Sequence, residues 1–223
     1  MLQLLNSSKS LYLYCTILKN SLSWGGVVAL VATTLAVANP AQAIGFSSPV
    51  GLYAIPDDDA TGVSVSINIS GQGNIISFDS VTITGFTHPF YPDLRASLTN
   101  GSSTVRLFRT TFAPDNQVFI RQSLVLNGNY TFATAGANWY TQTVTPVPTA
   151  TTYASFQPLT AFNGQSLNGN WTLNVQDRAS GDRGSFTQFT INATPVPFEF
   201  EPTGGVVLLG GAWLLRKRLI KKG

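Results

Sequence analysis

Short segments in which apolar and polar residues alternate recur along most of this chain, and Gly, Asn, Asp or Pro bounds each of them. Clear examples are residues 63–69, 104–108, 171–175 and 186–191. Alternation with a period of two gives a strand one inward and one outward face, and evenly spaced turn residues favour a sandwich or barrel. No stretch of residues 44–194 has a helical period. We therefore predict an all-β fold, an antiparallel jelly-roll-like β-sandwich of about eight strands.

Two details of that prediction concern irregular segments. Phe186, Phe189 and Ile191 do not alternate perfectly, so we expect a β-bulge near Gln188. Residues 141–152 are rich in Thr and Pro, and proline cannot donate a ladder hydrogen bond. We interpret them as a long loop within one domain, because a linker there would leave neither half with enough strands to close a core.

The first 43 residues have the features of a secretory signal peptide. Lys9 and Lys19 precede an apolar run, residues 24–38, that is shorter than the ~20 residues of a comfortable membrane span. The run leads to Ala41-Gln-Ala43, the small-x-small pattern read by signal peptidase. We predict cleavage after Ala43 and a mature chain beginning at Ile44. A retained N-terminal anchor is the alternative.

Residues 195–223 form a three-part C-terminal segment. A Pro/Phe/Glu stretch is followed by a short Gly-rich apolar run, residues 204–215, and then by a basic tail that begins at Arg216. This order resembles the PEP-CTERM class of sorting tails, and residues 197–200 (Pro-Phe-Glu-Phe) are similar to a cyanobacterial variant. The resemblance implies transient membrane association and processing by an exosortase-like enzyme. A weak membrane anchor is the simpler interpretation.

The charge of the chain is divided between its ends and its middle. All the lysines lie in residues 1–43 or 195–223, whereas residues 44–194 contain six arginines and eight aspartates, a net charge of −2. That mildly acidic balance argues against nucleic-acid binding. The one cysteine, Cys15, lies in the predicted signal peptide, so we expect no disulfide in the mature domain.

The last third of the predicted domain carries a specific set of motifs. Asn168-Gly-Asn-Trp171-Thr-Leu is followed by Asp177 and then by Gly181-Asp-Arg-Gly184 and an apolar strand. Nearer the N-terminus, Val81-Thr-Ile-Thr-Gly-Phe-Thr-His88 leads to Asp93-Leu94. These motifs resemble the P/Homo B domain, which lies beside the catalytic domain of proprotein convertases. The resemblance implies a β-sandwich over residues 44–194 and a non-catalytic role.

Hydrolase chemistry would require a specific set of residues. A serine triad requires a nucleophile, a base and an orienting carboxylate in one chain. The only histidine, His88, lies within the predicted β-domain, and no Gly-x-Ser-x-Gly elbow is present. We predict that the protein is not an enzyme, and that His88 is structural and bonds a neighbouring group such as Asp93.

Two groups of aspartates are candidate calcium ligands. Asp57, Asp58 and Asp59 are consecutive, and Asp177 and Asp182 flank a predicted turn. Carboxylate oxygens are the ligands that calcium prefers, and adjacent like charges repel unless a cation offsets them. Solvated carboxylates that cap turns are the alternative. A calcium ion would act as a structural cofactor in a domain without disulfides.

Aromatic residues in or near loops are a candidate binding surface. They are Phe86, Phe90, Tyr91, Trp139, Tyr140 and Tyr153. Trp139 and Tyr140 are the candidate binding residues, since they could stack on sugar rings, and packing in the core of the sandwich is the alternative. The preferred function is interaction or structure at the cell surface or in extracellular matrix, with polysaccharide as a partner. The alternatives are an accessory module acting in trans on a subtilisin-like protease and a carbohydrate-binding module.

Overall fold

Alternating side chains build the expected β-strands. The computed structural model describes residues 40–109 and 123–197, all of which belong to one compact unit. Its strands are β1 Ile44–Ser47, β2 Tyr53–Ile55, β3 Asp59–Ile69, β4 Ile75–His88, β5 Leu94–Thr99, β6 Thr104–Phe108, β7 Leu126–Ala133, β8 Thr152–Ala154, β9 Gly169–Asp177, β10 Gly184–Phe186 and β11 Gln188–Pro195. Short 3₁₀ turns lie at Tyr91–Asp93, Trp139–Thr141 and Leu159–Phe162. The described residues thus confirm the all-β prediction.

The strands form two sheets. The first contains β1, β2, β4, β7, β8, β10 and β11, and the second has the order β3-β9-β5-β6. All pairs are antiparallel except the short β7–β8 pair. Strands β1 and β2 lie one after the other beside β11 and β10, so they extend the same side of the sheet. This division of long strands explains why the described residues contain more strands than the eight predicted.

The irregularity predicted near Gln188 lies one residue earlier, at Thr187. This residue separates β10 from β11, and its N–H donates a hydrogen bond to the Thr84 carbonyl at 2.9 Å. The break resets the alternation, so Phe186, Phe189 and Ile191 are all fully buried. The register with β4 is the same on both sides of the break, because Ser185 pairs with Thr87 and Gln188 with Thr84. No residue is inserted, so the strand is interrupted here and does not form the β-bulge that was expected.

One hydrophobic core lies between the two sheets. In β9, Trp171, Leu173 and Val175 are fully buried, whereas Thr172 and Asn174 lie on the outward face, as the alternation predicts. The indole N–H of Trp171 donates to the Leu167 carbonyl at 2.8 Å, so its polar atom is satisfied inside the core. Each such large side chain contributes about 1.5–3 kcal/mol by leaving water.

Residues 141–152 belong to the domain, as expected. Val147, in the middle of this loop, is 1% exposed and lies in the core cluster. Its N–H donates to the Val125 carbonyl, and its own carbonyl accepts the hydroxyl hydrogen bond of Tyr130. The loop is therefore fixed on β7 by main-chain as well as apolar contacts.

The described chain enters and leaves the sandwich at the same end. Ile44 of β1 is paired with Ala193 of β11, and the N–H of Val196 donates to the Asn74 carbonyl at 2.7 Å. The signal peptide up to residue 39 and the tail from residue 198 onward are predictions that lie outside the described residues. Within the described part of the chain, no helix is long and apolar enough to cross a membrane.

Candidate functional site

His88, the only histidine, lies at the end of β4 and is 1% exposed. Its Nε2 atom lies 3.0 Å from Oδ2 of Asp177, at the end of β9. The prediction that His88 is structural and bonds a carboxylate is thus correct, but Asp93, the partner suggested from the sequence, is wrong. The two strand ends that meet here belong to different sheets, so this contact joins the two layers of the sandwich.

The other ring nitrogen of His88 is also occupied. The Phe90 N–H donates to Nδ1 at 3.1 Å. An Nδ1 atom that accepts cannot carry a proton, so the proton lies on Nε2 and is donated to Asp177. Both nitrogens are therefore committed to protein partners inside the core. A catalytic base needs one nitrogen free to face a nucleophile, and His88 has none.

Asp177 is fully buried and accepts a second hydrogen bond. Its Oδ1 atom accepts the N–H of Ala179 at 3.2 Å. Burial raises the pKa of Asp177, and the hydrogen bonds from Ala179 and His88 partly oppose that rise. The carboxylate proposed as a calcium ligand is thus already engaged in holding the turn after β9 and the imidazole of His88.

A second buried carboxylate, Asp93, lies close by at the end of the Tyr91–Asp93 turn. It is 4% exposed, and its Oδ1 atom has no hydrogen-bond partner among the described residues. Burial raises the pKa of Asp93 to about 7, and the negative charges of Asp177, Asp182 and Asp57 add to the rise. Four acidic side chains therefore influence one another at this end of the sandwich.

The structure brings the two predicted aspartate groups to the same end of the sandwich. Asp57 accepts the N–H of Gly181 at 3.0 Å, and Asp59 is paired in register with Asp177. Asp59 also accepts the N–H of Thr61 at 2.7 Å, a bond that lowers the pKa of Asp59. These are the turn-capping contacts of the alternative interpretation.

The remaining two candidates, Asp58 and Asp182, do not complete a metal site. Asp58 is exposed, with a φ of +50°, and Asp182 is half-buried in the turn before β10. Within residues 40–109 and 123–197, no three His, Cys, Asp or Glu side chains converge in a way that could hold a metal ion. Calcium binding therefore stays a prediction, and its test is given below.

The predicted aromatic surface is mostly core. Trp139 is 1% exposed and packs against Tyr153 and Tyr91 with ring centroids 4.8 and 4.9 Å apart. The prediction that Trp139 is an exposed stacking residue is wrong, because its side chain fills space under the 3₁₀ turn. Phe86, Tyr91 and Tyr153 are buried too, whereas Phe90 is half-buried.

Tyr140 keeps part of its ring at the surface, in a contact that the sequence did not indicate. Its hydroxyl oxygen accepts the N–H of Arg109 at 3.0 Å, and the Arg109 guanidinium lies 4.1 Å from the centre of the Phe156 ring. Phe156 is 37% exposed. The open aromatic face at this point is therefore covered by a cation, which favours packing over sugar stacking.

The role of Asp93 as a buried acid, and Phe156 altogether, were not predicted from the sequence. A signal for Asp93 was present, because Asp93-Leu94 begins a strand whose alternate residues Leu94, Ala96 and Leu98 are all fully buried. An acidic residue that directly precedes a buried strand loses much of its contact with water, and this desolvation raises its pKa. Phe156 lies in a stretch with no periodicity, and nothing local distinguished it.

This chain is similar to one known protein family and to solved structures of a protease. A family model described as the proprotein convertase P-domain matches residues 81–193, just over half of the chain. No match was found among curated proteins. The solved serine protease of Aeromonas sobria is similar with a TM-score of 0.39 and 13% identity, over 68% of this chain and 27% of that chain.

A second structure, the complex of the Aeromonas sobria serine protease with its chaperone, gives a TM-score of 0.40 and 14% identity, over 71% of this chain and 28% of that chain. This chain thus spans little more than a quarter of the length of those structures. The family match includes the part of β4 that ends at His88, as well as β9 and its Asp177. The chain belongs to the proprotein convertase P-domain family.

Proposed function

We propose that this protein is an exported, non-catalytic interaction module that acts at the cell surface or in extracellular matrix. The observation that carries the proposal is the state of His88, whose two ring nitrogens are bonded to Asp177 and to the Phe90 N–H inside the core. The only histidine of the chain therefore serves to join two sheets. A domain built this way acts through its surface.

The outward surface of the second sheet has the chemistry of a binding surface for hydrated partners. Its side chains form rows across the strands, such as Ser66, Thr172 and Thr99, which are in register. The Ser66 and Thr172 hydroxyls lie 2.7 Å apart. Rows of hydroxyl and amide groups of this kind can exchange hydrogen bonds with the hydroxyl groups of a polysaccharide, which supports a matrix role.

Capture of partners from the native cells tests this proposal. We would isolate the epitope-tagged full chain after mild cross-linking and determine the sugar and protein content of the captured material. Enrichment of polysaccharide over a matched untagged sample is the expected result. Hydrolysis of peptide or glycoside substrates by the purified chain, lost in a His88→Ala variant that still folds, would contradict it.

An accessory role toward a protease is the second candidate. The family match favours it, because the matching model describes a domain of proprotein convertases. In this reading the module stabilises or inhibits a separate subtilisin-like enzyme in trans. The same capture experiment separates the candidates: one protease in a constant ratio to the tagged chain supports the accessory role. Signal peptidase and an exosortase-like enzyme remain proposed as processing partners of the two ends.

A carbohydrate-binding role that depends on Trp139 and Tyr140 loses one of its two residues, because Trp139 lies in the core. Tyr140 alone remains at the surface. Binding to a glycan array by the full chain and by a Tyr140→Ala variant would test what is left of this candidate. We expect equal binding, because the Tyr140 ring already packs against Phe156 in a T-shaped contact with centroids 6.5 Å apart.

A further inference from the structure

Strand β3 (Asp59–Ile69) forms one edge of the second sheet, and among the described residues its outer side has no strand partner. The opposite edge is different. There the N–H groups of Phe156 and Gln157 donate to the carbonyls of Leu107 and Arg106, so a neighbouring segment covers β6. The part of the chain that the structure describes therefore has one covered edge and one open edge in this sheet.

The open edge lacks the features by which proteins usually protect an edge. Residues 63–69 read Val-Ser-Val-Ser-Ile-Asn-Ile, without a charged residue or a proline. Edge strands that must stay unpaired usually carry charges, prolines or bulges. The one irregularity of β3 lies before this stretch, between Asp59 and Val63, where Gly62 has a φ of +64°. Seven residues of regular, uncharged strand are thus left open.

This stretch is complementary to itself. If two copies lie antiparallel about a two-fold axis at Ser66, Val65 lies opposite the partner's Ile67 and Ser64 opposite the partner's Asn68. Apolar inward residues then meet apolar ones, and polar outward residues meet polar ones. A shift of one residue would place each apolar side chain against a polar one, so the pattern excludes it. A shift of two residues keeps the pattern, and the register centred on Ser66 is the one that pairs all of residues 63–69.

The burial of the inward side chains agrees with an incomplete edge. Val65 is 6% exposed and Ile67 8%, whereas Leu173 and Val175 in the neighbouring strand β9 are fully buried. Next to this edge, β1 and β2 both contact β3. The segment that joins β1 to β2 carries Val50 and Leu52, 78% and 77% exposed, the most exposed large apolar side chains of the described residues. Apolar surface beside an open edge marks a contact region.

The charges do not oppose such a contact. The acidic residues Asp57, Asp58 and Asp59 lie at the start of β3. In an antiparallel pair centred on Ser66 the two copies of Asp59 lie roughly 45 Å apart, at 3.3 Å per residue. The same edge is used on both copies, so the contact is closed after two chains and does not propagate.

We propose that the chain forms a two-fold symmetric dimer through β3, in which residues 63–69 of two copies pair antiparallel about Ser66 and join two four-stranded sheets into one. Contacts of one strand with another bury a small area, so the dimer is weak in solution and is favoured where many copies are held close together. This proposal is independent of which partner the module binds.

The proposal can be tested by sedimentation velocity over a wide concentration range. The sample is the protein expressed from the full sequence and purified in the form that its native cells produce. We expect a monomer–dimer equilibrium for the wild type. Ser66→Lys should give a monomer, because two lysines would face each other at the axis. Thr104→Lys is the matched control, since Thr104 is also an exposed hydroxyl residue of this sheet but lies on the covered edge. It should dimerise like the wild type.

Single-cysteine variants give a second readout, in a Cys15→Ser background that leaves no other cysteine. Ser66→Cys should form a disulfide-linked dimer at least about tenfold faster than Thr104→Cys, because the axis places the two Cα atoms within disulfide reach. Thermal melting of Ser66→Lys shows that it still folds. A wild type that stays monomeric, a dimer that persists in folded Ser66→Lys, or equal rates of cross-linking would overturn the proposal.

Discussion

The imidazole of His88 and the carboxylate of Asp177 meet across the two sheets, 3.0 Å apart and fully enclosed. They are 89 residues apart in the sequence. Each lies at the end of a long strand, β4 and β9, so their contact fixes how the two layers are aligned at the acidic end of the sandwich. The contact uses the only histidine of the chain for structure.

The first prediction concerns that pair. His88→Ala leaves the buried Asp177 carboxylate without its donor, and breaking a buried pair of this kind costs about 3–5 kcal/mol. Asp177→Ala should cost a similar amount, since it leaves the N–H at Nε2 of His88 without its acceptor. Because each variant removes the same contact, the double variant should lose little more than the worse single one. Urea unfolding of all three measures this, with exposed Asp58→Asn as the near-neutral control. Losses that simply add would show that the two residues act independently.

The second prediction concerns pH. Burial and neighbouring acids raise the pKa of Asp93 from 3.8 to about 7 in the folded domain. The folded state therefore holds this proton more tightly than the unfolded chain, so the contribution of Asp93 to stability is fully present below pH 3.8 and is lost as the pH rises through about 7. We expect the unfolding free energy of the wild type to fall by on the order of a few kcal/mol over this window.

Asp93→Asn is the matching variant, because it keeps the shape and removes the titration. Its stability should vary less with pH than that of the wild type and should exceed it above about pH 7. Asp177, whose pKa is also raised by burial, leaves a residual slope of the same sign. Parallel curves of unfolding free energy against pH for the two proteins would refute the assignment.

The third prediction separates core from surface among the aromatics. Trp139→Ala should cost about 3–5 kcal/mol, as expected for a large side chain removed from a packed core. Tyr140→Ala should cost less, because part of its ring is at the surface and its hydroxyl accepts a single backbone bond. Chemical denaturation followed by tryptophan fluorescence measures both. A stable Trp139→Ala variant would place that side chain outside the core.

The fourth prediction concerns calcium. If the five candidate aspartates hold a structural ion, added calcium should raise the melting temperature. The candidates are Asp57, Asp58, Asp59, Asp177 and Asp182. At a calcium concentration a hundredfold above the dissociation constant, the unfolding free energy should rise by about 2.7 kcal/mol. The rise should vanish in the Asp57→Asn, Asp58→Asn double variant. Magnesium is the control cation, since its preferred octahedral geometry differs. No rise, or an equal rise in the double variant, would remove the site.

The features that could be predicted from the sequence are those that depend on residues close together along the chain. The inward residues of β9, Trp171, Leu173 and Val175, were predictable because alternation is a local property of the strand. The break at Thr187 was predictable to within one residue for the same reason. Gly169, the first residue of that strand, has a positive φ, which is typical of the glycine in an Asn-Gly turn.

The features that could not be predicted depend on tertiary contacts. The partner of His88 was misassigned because Asp93 is near in sequence, whereas Asp177 reaches the ring only after the two sheets pack. Trp139 lies in a segment with loop composition, but its side chain enters the core under the turn. Local composition can predict that a segment is a loop, but it does not predict whether a large side chain of that loop is buried.

The most direct test of the account is the intact mass of the protein isolated from its native cells, measured separately for each cell fraction. An exported surface or matrix protein is expected in the surface or extracellular fraction, with a mass that begins at Ile44. A mass that also lacks the end of the chain after residue 194 would show processing of the tail. Recovery of the whole chain with Met1 in the cytosolic fraction would contradict the proposed function.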